Sequence, residues 1–187
     1  MKKFLTATSW QLFSVLVVFP ILFQIGFMSF LLYRPNSAII AITISAFLGV
    51  YLTLVLAWFF TLGTRLYNKL PQGVNMNLAR FKIFLFIPVA YVLLIVLFAA
   101  QQSMPNNLNS EMPMGTFAVL VPLHLFSIFC MLYCMYFISK ELKIAELQKD
   151  VTSFNDFAGE FFLLWFFPVG IWFLQPRINQ LFNTSDS

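Results

Sequence analysis

Residues 37–64 read SAIIAITISAFLGVYLTLVLAWFFTLGT, 28 residues without a formal charge. Crossing a hydrocarbon layer of about 30 Å takes about 20 helical residues, so this stretch alone is long enough to span a bilayer. It is apolar on all sides and does not alternate with period two, which points to a helix and not a barrel strand. With no water to satisfy the backbone in lipid, a helix is the conformation that remains.

Four more runs of the same kind lie on either side. They cover residues 10–33, 83–100, 116–138 and 157–175, with His124 inside the fourth and Glu160 inside the fifth. The composition agrees. The chain is 60% hydrophobic and 10% charged, with a mean hydropathy of +0.85, where a soluble domain carries about 25% charged residues. A water-soluble globule and a disordered chain are both excluded. Two cysteines cannot form a disulfide framework. The expected fold is therefore all-α: a polytopic bundle of five transmembrane helices forming a single domain over residues 1–187. The tails and connectors leave no room for a separate soluble domain.

Lysine and arginine set the orientation. Alternating sides places Lys2, Lys3, Arg65, Lys69, Arg80, Lys82, Lys140, Lys143 and Lys149 together with the N-terminus, leaving Arg34 and Arg177 on the other side. The N-terminus is thus expected to be cytoplasmic, in the cytoplasmic (inner) membrane, and five spans put the C-terminus outside. The fifth run is the shortest fit, since 19 residues at about 1.5 Å each give roughly 28 Å, and Pro168 and Gly170 interrupt it. It reads as a kinked span. A re-entrant segment is the alternative and would return the C-terminus and Arg177 to the cytoplasmic side.

Within the spans, one pattern stands out. Ser37, Ala41, Ser45, Gly49, Thr53, Ala57 and Thr61 recur at every fourth position, forming a ridge of small side chains on one helix. Small residues let helix backbones approach in lipid, and hydroxyls can bond across the contact. The ridge reads as a packing seam against another span or another chain, with Gly49 at its closest point. Trp10, Trp58 and Trp172 fall near span ends, as an aromatic belt would place them.

Cys130 and Cys134 share a helix face, but His124 is rotated away from them, so the three do not converge as a zinc set. Both thiols are expected to be reduced. Gln24 and His124 fall at similar depth and form a candidate intramembrane polar pair. Arg65, Lys69, Arg80 and Lys82 make a basic cytoplasmic loop, which is explained by the positive-inside rule alone or by contact with anionic headgroups. Ionisable groups inside spans are functional hypotheses by default. Glu160 is therefore the leading candidate functional carboxylate, with Asp156 one turn before it and Arg80 or Lys82 as its expected counter-charges.

No phosphate-cradling glycine loop, metal-protease histidine pair or nucleophile elbow occurs. No catalytic residue, cofactor or metal is assigned. The expected function is a non-enzymatic one: a small integral-membrane accessory subunit or membrane-embedded interaction protein. Its partners are the lipid bilayer and another membrane protein or a second copy of itself, not nucleic acid. The alternative is a small transporter or lipid-handling protein using the kinked spans and Glu160.

Overall fold

The structure, a computed structural model, describes residues 7–102 and 114–183. Among these the fold is entirely helical, with six helices. Four of them are long and apolar enough to cross a membrane, the signature of a multi-pass membrane protein.

Helix α1 (Ser9–Leu31) starts at a capping box in which the Thr8 hydroxyl accepts from Gln11 N–H and the Gln11 side chain accepts from Thr8 N–H. Pro20 has no N–H to give. The turn before it, Ser14–Val18, widens to π geometry, with Phe19 N–H bonded to the Ser14 carbonyl. Helix α2 (Ser37–Tyr67) is capped by Asn36, whose Oδ1 accepts from Ile39 N–H at 2.9 Å. The connector Arg34-Pro35-Asn36 sets α1 and α2 side by side. Phe23 stacks on Phe47 at 3.7 Å between centroids, and the Tyr51 hydroxyl donates to the Leu16 carbonyl.

Helix α3 (Leu78–Gln102) begins five residues before the apolar run, because Asn77 caps it by accepting from Arg80 N–H at 3.0 Å. Helix α4 (Met114–Leu147) has 34 residues, which at about 1.5 Å each is roughly 51 Å. It ends where Gln148 turns left-handed, with φ of 51°.

The run 157–175 departs from expectation. It is not one kinked span but two helices, α5 (Ala158–Trp165) and α6 (Phe167–Asn183), broken at Phe166 with φ −92° and ψ 54°. A continuous helix would place Glu160 and Arg177 roughly 25 Å apart. Their side chains are bonded at 2.6 Å. The two helices therefore double back as a hairpin. Gly170 makes the fold possible: a Cβ there would overlap the Leu163 carbonyl of the opposite arm. The returning arm brings Gln175 Nε2 and Asn179 Nδ2 to the Ala7 carbonyl at 3.2 and 3.1 Å. The C-terminal helix thus ends beside the start of α1, at the same end of the bundle.

Packing is concentrated at that end. Leu12 and Leu16 of α1, Leu56 to Leu66 of α2, Phe81 and Leu85 of α3, and Cys134 to Ala145 of α4 form one core with Leu164, Ile171, Leu174 and Ile178 of the hairpin. Gly63 lets α2 lie directly on the Phe81 ring. Trp58 is only 1% exposed and belongs to this core, not to an aromatic belt, whereas Trp10 is exposed and touches Trp172. Toward the other end fewer side chains are buried. Ile25, Met28, Ile42, Val50, Leu93, Leu97, Val119 and Leu125 are all exposed, as is the hairpin around Phe162, Phe166 and Phe173.

Candidate functional site

The sequence singles out Glu160, and the structure builds a site around it. Glu160 sits in the first turn of α5 and is 5% exposed. Its Oε1 accepts from Arg177 Nη2 at 2.6 Å and from Lys143 Nζ at 3.2 Å. Arg177 also donates through Nε, at 2.7 Å, and through Nη2, at 2.5 Å, to the two carboxylate oxygens of Glu146. Such a fork is the strong form of arginine–carboxylate contact. Lys143 and Glu146 project from the last two turns of α4, Glu160 from α5 and Arg177 from α6, so three helices meet in one alternating set of two acids and two bases.

Lys143 and Glu146 are three residues apart and therefore neighbours on the surface of α4. Pro176 precedes Arg177 without breaking α6. Burial alone pushes the Glu160 carboxyl up. The hydrogen bonds from Arg177 and Lys143 outweigh it and hold the group below the usual carboxylate value, so it stays ionised. Arg177 is held even more firmly in its charged form by Glu146 and Glu160. Chemically, this arrangement is a closed ionic clasp. Arg177 bridges the two acids, and Lys143 adds a second cation to Glu160.

The expected counter-charges are thus corrected. Among the described residues neither Arg80 nor Lys82 pairs with Glu160; Lys143 and Arg177 are its partners. Arg177 reaches the clasp because the hairpin returns it to the side from which a fifth span would have removed it. Asp156 lies in a 3-10 turn, Phe154–Asp156, and is exposed outside the clasp.

The other candidates are placed as follows. Gln24 and His124 are both exposed and share no hydrogen bond; the ring neighbour of His124 is Tyr91 at 5.4 Å. The structure does not bring the pair together. Along the small-residue ridge, Thr61 is buried and Ala57 half-buried, but Ser37, Gly49 and Thr53 are exposed, with Ala41 and Ser45 half-buried. A Cβ on Gly49 would meet nothing within 4 Å. The Thr53 and Thr61 hydroxyls donate to Gly49 and Ala57 carbonyls of their own helix, not across a contact. Within this chain the ridge is a packing seam only at its inner end.

Thr53 and Ala57 also line an apolar crevice of about 390 Å³ with Leu56, Phe60, Leu85, Phe86 and Val89. Of the basic loop, Arg65 lies in the last turn of α2, and Arg80 and Lys82 lie in the first turn and a half of α3. Lys69 sits over the Phe182 ring and Lys82 over Phe60. Cys130 and Cys134 are buried and free.

Sequence reasoning missed Glu146, Lys143 and Arg177 as a set. It also missed Glu141, which is fully buried in α4 with no hydrogen-bond partner among the described residues. The mixed-charge stretch after Ile138 continues α4 to Leu147, and its inward face, with Leu142, Ile144 and Ala145, is buried. No protein-family model, curated protein or solved structure matches this chain.

Proposed function

We propose that the protein is a non-enzymatic, membrane-embedded interaction protein or accessory subunit of the cytoplasmic membrane, with both the N-terminus and the described C-terminal helix on the cytoplasmic side. In this reading α1 to α4 cross the membrane, and the α5–α6 hairpin enters the inner leaflet and returns. The exposed Phe162, Phe166 and Phe173 face lipid, and the clasp lies at headgroup level. An even number of crossings puts Arg177 with the other inner positives, in keeping with the positive-inside rule.

One observation carries the interaction reading. The outer part of α2 presents a ridge of small residues on which, among the described residues, Ser37, Gly49 and Thr53 are exposed and a Cβ on Gly49 would meet nothing within 4 Å. Small residues in lipid-exposed positions give little to acyl chains, but they let a second helix approach closely. That second helix belongs to another membrane protein or another copy of this one. The crevice between α2 and α3 favours the alternative of lipid handling, since its walls suit an acyl chain.

The test is a photo-crosslinker at Gly49, in membranes and in mild detergent. A stoichiometric protein adduct is expected; adducts with lipid alone would support lipid handling instead. Gly49→Leu should leave the stability of the isolated chain within about 0.5 kcal/mol of the parent, the usual range for open surface sites, while abolishing the protein adduct. Topology is checked separately. A reporter at Gly73 and one fused after Asn183 should both read cytoplasmic, and one at Asn107 external. A C-terminal reporter reading external would remove the re-entrant hairpin.

A further inference from the structure

Around α4 from the clasp, with Lys140 one turn before Lys143, a recess of about 220 Å³ opens between the start of α3 and the end of α4. Arg80 and Lys140 line it, with the hydroxyl-bearing rings of Tyr133 and Tyr136 and the amides of Asn75 and Asn77. No acid lines it, and neither cation has a carboxylate within 4.0 Å among the described residues. This differs from Lys143 and Arg177, which are both consumed by the clasp. Asn77 Oδ1 is occupied by Arg80 N–H, which leaves the Asn77 amide as a further donor. The N-terminal end of α3, with its positive dipole, opens onto the same recess.

The level of the recess matters as much as its charge. Lys140 stands two residues past the apolar run 116–138, and Tyr133 and Tyr136 occupy that run's final turns. Tyrosines with a basic residue just beyond them mark the headgroup region. The volume is below the roughly 300 Å³ of a site for a drug-sized ligand, so it suits a small anionic group and not a nucleotide. We propose that this recess is a binding site for a phosphate group, supplied by an anionic phospholipid of the inner leaflet. Arg80 and Lys140 would hold the phosphate oxygens, and the tyrosine hydroxyls and asparagine amides would donate to the remaining acceptors. The assignment does not depend on the interaction reading above.

The experiment is lipid binding to the purified full chain in neutral detergent, read by native mass spectrometry. Phosphatidylglycerol is expected to bind at least ten-fold more tightly than phosphatidylcholine. At about 1 kcal/mol per charge, R80Q/K140Q should weaken phosphatidylglycerol by about thirty-fold. K82Q/K149Q removes the same charge outside the recess and should change little, and R80K/K140R should retain binding. Equal binding of both lipids, or an equal loss in the two charge-removing variants, would overturn the site. Displacement of the lipid by equimolar inorganic phosphate would overturn the lipid as its source. If R80Q/K140Q does not fold, Tyr136→Phe keeps both charges: about a ten-fold loss is expected for a hydrogen bond to a charged group, and no loss overturns the proposal.

Discussion

Arg177→Ala will release the α5–α6 hairpin from α4. The substitution strips both acids of their shared partner at once, leaving Glu160 with Lys143 alone and Glu146 with none among the described residues. Removing one member of a buried ion pair costs about 3–5 kcal/mol. Arg177 keeps 32% of its side-chain exposure, so water recovers part of this, and roughly 2–3 kcal/mol is expected. Thermal unfolding in detergent measures it, and limited proteolysis should find new cleavage near Phe166.

Glu160→Gln should destabilise in the same direction, and the Glu160→Gln/Arg177→Ala double variant should fall well short of additivity, since both act on one contact. Asp156→Asn lies outside the clasp and should be nearly silent. The pH dependence follows from the lowered Glu160 carboxyl. A group whose folded value lies below its unfolded value of about 4.3 contributes fully above that value. Its contribution is lost as pH falls through the folded value. The hairpin should therefore be indifferent to pH near neutrality and loosen only in acid. A clasp that opened between pH 6 and 8 would contradict this assignment.

Gly63→Leu has the second large effect. Even a Cβ at Gly63 would fall on the Phe81 ring, and Phe81 is fully buried, stacked on Phe137 at 4.8 Å. The ring cannot swing away without displacing α4. Overpacking a filled core costs about 1–3 kcal/mol, and a leucine here should reach the top of that range or prevent folding. Gly63→Ala is the milder test. Gly49→Leu on the same helix is the control, because the space beside Gly49 is open. Equal melting midpoints for the Gly63 and Gly49 leucine variants would mean that α2 does not rest on Phe81.

The two glycines show what the sequence carries and what it does not. Both lie in the same 28-residue run, and small residues say where a close approach is permitted, not where it happens. The four long helices were legible because length and hydropathy are properties of one segment. Their rotation was not, because a helix that is apolar all round offers no polar face to orient it. That is why Glu160 was found while its partners were misassigned to Arg80 and Lys82. The break at Phe166 escaped for a related reason: hydropathy is unchanged when an apolar run turns back on itself. Pro168 and Gly170 were the visible signals, and they fit a kink as well as a turn. Only the pairing of Arg177 with Glu160 distinguishes the two. Helix α3 begins before its apolar run because Arg80 and Lys82 stop an apolar count without stopping a helix.

Gln175 and Asn179 close on the Ala7 carbonyl across 168 and 172 residues of chain. Contacts so distant in sequence form late, because the closure entropy of everything between them must be met first. During synthesis the first four helices enter the membrane with this carbonyl uncapped and with Leu12 and Leu16 of α1 still lacking their partners in α6. The core end of the molecule is then an open cup, and the last helix is its stopper. A chain arrested before Gln175 would leave apolar side chains and a bare backbone acceptor uncovered at that end of the bundle. Chaperones and proteases could use that surface to distinguish a merely inserted chain from a finished one.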